Sequence, residues 1–180
     1  MRVLRYILGA VAALAVIFVL IGMFVPSFTY ENRIEVSKPV EHSFAVFSDP
    51  ANMSEWLTGF KSMENLTGGP NEVGSTWKLV FVDGDEEIIM TEEVTGFKEN
   101  ELISFTLDNE VLEADIEVHF VRKNGTTGIL QSSKVEGKNL FWKSLLFLSK
   151  WNMTARGQEN YVKLKHLIET TELQTANDQL

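Results

Sequence analysis

The sequence predicts an α+β fold: a curved antiparallel β-sheet around a long C-terminal α-helix, preceded by one transmembrane helix. Three observations carry this. The last long segment, Asn139 to Thr171, holds no proline and a single glycine, Gly157. Read as one helix, it places Trp142, Leu145, Leu146, Met153, Tyr161, Leu164 and Ile168 on one stripe. Ahead of it run five or six strand-like stretches whose apolar residues alternate with polar ones, and such strands need a cover on one face. Finally, no charge appears from Tyr6 to Tyr30, and Ile7 to Val25 is almost wholly apolar.

That apolar run is long enough to cross a hydrocarbon core of roughly 30 Å at about 1.5 Å per residue. It exceeds the short core of a secretory signal, although Val25-Pro26-Ser27 offers a small-residue exit and leaves cleavage open. Arg2, Arg5 and the amino terminus precede the span, while only Arg33 and Lys38 follow closely. This bias predicts a single-pass protein with its soluble domain outside the cytoplasm. The expected division is an anchor over 1–29, one domain over 30–172 and a frayed polar tail over 173–180.

Glu31 to Ser37 reads as the first strand. Pro39 then falls in the first turn of a short helix with Glu41 near its positive end, burying Val40, Phe44 and Phe47. Asp49-Pro50 caps a second short helix that carries Met53, Trp56, Leu57 and Phe60. Leu66 to Gly74 is a turn-rich loop. Ser75 to Val82 presents Trp77, Leu79 and Phe81 on one face, and Asp83-Gly84-Asp85 turns the chain. Glu87 to Phe97 returns with Ile88, Met90 and Val94 together. Leu102 to Leu107 presents Ile103, Phe105 and Leu107. Ala114, Ile116, Val118 and Phe120 mark the next strand, and Thr126 to Val135 the last, with Ile129, Gln131, Ser133 and Val135 sharing a face.

The run Pro39-Val40-Glu41-His42-Ser43-Phe44-Ala45-Val46-Phe47-Ser48-Asp49-Pro50, with Trp56 six residues on, resembles the opening of the SRPBCC superfamily. These helix-grip proteins include polyketide cyclase-like, START lipid-transfer and birch-pollen-allergen-like domains. The Gly68-Gly69-Pro70 to Gly74-Ser75 loop, the Glu92-Glu93-Val94 strand and the final helix are similar to the cyclase-like branch. The resemblance runs from about Tyr30 to Thr171 and implies a deep apolar cavity between sheet and C-terminal helix, often for lipids, sterols or polyketides. The pollen-allergen type has a denser glycine loop, and most cyclases lack an N-terminal anchor.

Beyond residue 30 there are 14 basic and 25 acidic residues, a net charge near −11, which argues against nucleic acid as a partner. Cysteine is absent, excluding disulfides and thiol chemistry. His42, His119 and His166 stand at no metal-ligand spacing; His42 and His166 are expected at the surface and His119 pointing away from the cavity. No metal or other cofactor is predicted. The acidic run Asp83 to Glu87 lacks the spacing of a calcium loop and reads as a solvated hairpin tip.

The predicted wall of the cavity comprises Trp56, Trp77, Leu79, Phe81, Met90, Phe105, Ile116, Val118, Phe120, Gln131, Ser133, Leu146 and Met153. Its expected occupant is a hydrophobic small molecule or lipid, held by burial of apolar surface. Gln131 and Ser133 interrupt the apolar face and could bond a ligand, a water or each other. Glu92 shares parity with Ile88, Met90 and Val94. It either points inward as a candidate acid or base, or sits at an edge or bulge in water. Three functional classes stay open: a membrane-anchored binding domain, a cyclase- or isomerase-like enzyme using Glu92, and a non-catalytic structural or partner-binding protein. Leu140 to Trp151 carries too many large apolar residues for one stripe, with Lys138, Lys143 and Lys150 interleaved. Trp142, Phe147 and Trp151 there either contact a membrane surface or are buried between the sheet and the short helices or the Gly68 loop.

Overall fold

Consecutive hairpins build the sheet. In the computed structural model, which describes residues 2–172, seven antiparallel strands lie in the order β1-β7-β6-β5-β4-β3-β2. They are β1 (Ser27–Val36), β2 (Phe60–Thr67), β3 (Thr76–Asp83), β4 (Glu86–Lys98), β5 (Leu102–Asp108), β6 (Leu112–Lys123) and β7 (Thr126–Gly137). Two-residue turns at Gly84-Asp85 and Asn124-Gly125 reverse the chain, with Gly84 and Gly125 at positive φ, a region open to glycine without steric cost. Irregular pairing at Phe60/Ser62, Asn65/Thr67 and Val94/Gly96 bends the β2-β3-β4 side. The predicted tail over 173–180 lies outside the described residues.

The helices are α1 (Arg2–Phe24), α2 (Val40–Ser48), α3 (Met53–Trp56), α4 (Leu140–Leu148) and α5 (Lys150–Thr170). Pro39 stands just ahead of α2, and Asp49 accepts from the Ala51 amide at 2.9 Å to start the turn over Pro50–Asn52. The core lies between the inner face of the sheet, α2 and α5. Val36, Val46, Ile129, Leu164 and Ile168 are at most 1% exposed.

Four expectations are corrected. The C-terminal segment is two helices, because the chain breaks at Ser149, whose amide bonds back to Leu145 and Leu146. The break leaves Leu145 exposed rather than on the buried stripe. The first strand starts at Ser27, four residues early, since Ser27 to Tyr30 already pair with Glu136 to Ser133. Phe60 belongs to β2, an edge strand whose mostly polar residues hide its period. Gly157 on α5 faces the side chain of Asn32 on β1.

Candidate functional site

Between the inner face of the sheet and α5 lies a cavity of about 440 Å³. Strand alternation points Trp77, Leu79 and Phe81 of β3, Met90 of β4, Phe105 of β5, Ile116 and Val118 of β6 and Gln131 of β7 into it. Trp56 at the end of α3 and Met153 on α5 close the opposite side. The exposed Pro50, Pro70, Asn71, Asp83, Ile88 and Arg156 also line it, so the cavity opens to solvent between the β3–β4 turn, the β2–β3 loop and α5. Arg156 pairs with Asp83 at 3.2 Å across this mouth, and its guanidinium holds the Asp83 carboxyl below its ordinary pKa.

Three predicted wall residues stand elsewhere. Phe120 has the right parity but is covered by α2, its ring 5.0 Å from Phe44 and 5.4 Å from Phe47. Ser133 is fully buried beneath Gln131, whose amide donates to the Ser133 hydroxyl at 2.6 Å. Leu146 packs on the main core from α4. Sequence reasoning did not place Tyr30, Leu57, Phe97 or Tyr161 on the wall, although all four line it. Tyr30 lies in the part of β1 that precedes the expected first strand, and Tyr161, on the expected helix stripe, reaches the wall through the packing of α5 on the sheet. Burial raises the pKa of both phenols.

Glu92 points inward. It pairs across the sheet with Trp77 and Leu107, lies on the cavity wall and is 8% exposed. The bulge that would have turned it to water comes two residues later, at Val94/Gly96. Among the described residues no Lys or Arg stands beside it, and burial alone pushes its pKa up to about 7. The carboxyl is therefore close to half-protonated at neutral pH in a largely apolar chamber, a state suited to donating or accepting a proton.

The histidines stay apart. His119 is half-exposed beside Glu117 at 3.3 Å, and His166 is exposed. His42 is not free at the surface, because its Nε2 lies 2.9 Å from the carbonyl of Ile168 and ties α2 to the end of α5. The acidic turn carries ion pairs of its own, Asp83 with Arg156 and Glu87 with Lys61.

The oily α4 is covered on one side by β1 and β7 and on another by α1, not by the short helices or the Gly68 loop. Phe147 meets the Phe28 ring edge at 6.2 Å, Trp142 is half-buried beside Phe141, and Trp151 is 85% exposed. Among the described residues α1 is the one helix long and apolar enough to cross a membrane.

A sequence search finds no match among curated proteins. Solved structures share the architecture at low identity. Ara h 8.0201 superposes with a TM-score of 0.65 at 12% identity, over 81% of this chain and 99% of its own. A Thermus thermophilus protein, TTHA0849, gives 0.65 at 13%, over 78% and 97%. The di-domain ARO/CYC protein BexL of the BE-7585A biosynthetic pathway gives 0.63 at 10%, over 82% of this chain and 52% of its own. These likenesses show the helix-grip fold. The sequence profile for polyketide cyclase / dehydrase and lipid transport proteins matches residues 27–143, β1 through the first turn of α4, and this chain belongs to that family.

Proposed function

We propose that the protein is a membrane-anchored binding domain that holds a hydrophobic small molecule or lipid between the sheet and α5, with the ligand's polar group at Glu92. One observation carries the reading: a cavity of about 440 Å³, walled by aromatic and aliphatic side chains, whose buried carboxyl has no cationic neighbour among the described residues. This volume lies in the range of small-molecule sites, and apolar area removed from water contributes about 25 cal/mol per Å². The family's description spans both lipid transport and cyclase chemistry, so the fold alone does not choose between them. The anchor role rests on α1, with a cytoplasmic N-terminus and the domain outside.

The test is native mass spectrometry of the full chain released from detergent. A bound species of lipid or small-molecule mass, lost when Met90 is enlarged to tryptophan, supports the reading. A ligand-free chain that also fails to bind apolar fluorescent probes rejects it. Mass analysis of the membrane-bound chain checks the anchor, since cleavage near Ser27 would remove residues before it.

A second reading is favoured by Glu92 itself. A carboxyl with a pKa of about 7 is poised as a general acid or base, with Gln131, which lines the same cavity from β7, as a polarising group. Turnover of a bound substrate that disappears in Glu92→Gln, with binding retained, would select this reading over simple carriage.

A further inference from the structure

We infer that α4 and the first turn of α5 are immersed in the bilayer beside α1, forming a second, non-spanning membrane contact. The inference rests on α1 being a span. Its foundation is a polar contact at an unexpected depth. The Ser144 hydroxyl donates to the carbonyl of Phe18 at 2.6 Å. Gly22 faces Leu140 and Ser144 so closely that a Cβ there would collide with both. The rings of Phe18 and Phe141 lie 5.6 Å apart.

Phe18 stands six residues before the end of α1, about 9 Å along the helix axis. A span of this length that ends near Phe24 puts Phe18 and Gly22 inside hydrocarbon, and whatever touches them shares that depth. A small residue facing a hydroxyl-to-carbonyl bond is also how helices pack closely in lipid. The geometry has little slack, because only Val25 and Pro26 separate α1 from β1, and Ser27 pairs with Glu136, just before α4.

The outward face of α4 matches such a solvent. Phe141, Leu145 and Leu148, at i, i+4 and i+7, are 53%, 37% and 55% exposed, and Trp151 is exposed beyond them. The neighbouring lysines turn away. Lys143 pairs with Glu136 at 2.8 Å, and Lys150 lies 5.9 Å from the centre of the Phe28 ring. The face is thus uncharged and continuous with the bare apolar surface of α1, which selects lipid over a second copy of the chain. Met153, two residues after Trp151, lines the cavity, so the ligand chamber begins beside the immersed turn.

The chain has no cysteine, which makes single-site labelling direct. An environment-sensitive fluorophore is attached to Leu145→Cys or Leu148→Cys in the full chain, reconstituted in phosphatidylcholine vesicles containing acyl-chain spin labels. Val11→Cys reports α1, and Val162→Cys, exposed farther along α5, reports water. Quenching at 145 and 148 should exceed that at 162 several-fold and approach that at 11. Quenching at 11 alone overturns the inference and leaves the span standing. Quenching at neither overturns it together with the anchor. A blue shift without lipid quenching, lost on dilution into more vesicles, would mean that a second copy covers the face and would overturn it equally.

Discussion

Asn32 occupies the space that Gly157 leaves empty. Its side chain is 1% exposed, its amide donates to the Thr154 carbonyl at 2.9 Å, and its oxygen lies against the glycine where a Cβ would stand. Strand β1 and helix α5 meet at this contact, which sets how closely the helix approaches the sheet.

Replacing Gly157 with alanine tests the fit. Alanine gains about 1 kcal/mol of helix propensity, but overpacking against Asn32 costs about 1–3 kcal/mol. The expected net result is a loss of about 1 kcal/mol in denaturant unfolding. Asn32→Ala makes room for the new methyl, so the double variant should be more stable than the sum of the single effects by about 1 kcal/mol.

Glu92 should give the protein a pH-dependent stability of definite sign. Its folded-state pKa is about 7 against an ordinary 4.5, so between these values the folded chain holds more protons than the unfolded one. Stability therefore falls as pH rises from 4.5 to 7, by about 3 kcal/mol in total, and levels off above. Glu92→Gln should flatten this window in denaturation midpoints measured at pH 5, 6, 7 and 8. An unchanged slope would place the titrating group elsewhere.

Filling the chamber should block it without unfolding the domain. Met90 is half-buried on β4 and faces the cavity, so tryptophan at this position takes up guest volume. Displacement of an apolar fluorescent probe should report at least tenfold weaker binding, about 1.4 kcal/mol. The circular dichroism spectrum should be unchanged. Equal affinity would show that the probe binds outside the cavity.

The Arg156–Asp83 pair spans the mouth between α5 and the β3–β4 turn, with both side chains more than half exposed. Exposed pairs add little to stability because solvent screens them. Arg156→Gln should leave the unfolding midpoint almost unmoved yet raise the ligand off-rate several-fold in stopped-flow exchange. The wild-type off-rate should rise with salt toward that of the variant. A rate independent of both would locate the exit elsewhere.

Much of this site is written in alternation. Trp77, Leu79 and Phe81, like Ile116 and Val118, face inward because residues two apart share one side of a strand. The same parity brings Glu92 inward. It says nothing about what lies above each position, and so it gives Phe120 to the cavity although Phe44 and Phe47 cover that ring. Edge strand β2 was illegible, since it is exposed along most of its length and has no apolar face to repeat. The break at Ser149 carries neither glycine nor proline, and the α1–α4 contact joins segments more than a hundred residues apart. Both are decided by tertiary packing.

The pairing of β1 with β7 makes the earliest strand wait for the latest. Ser27 emerges from the ribosome about a hundred residues before its partner Glu136, which at about 5–20 residues per second is a delay of roughly 5–20 s. During that interval the edge of β1 is open to stray partners. A nonsense mutation ahead of Thr126 would make the interval permanent, leaving a fragment with an unpaired β1 fit for quality control rather than a shorter working protein.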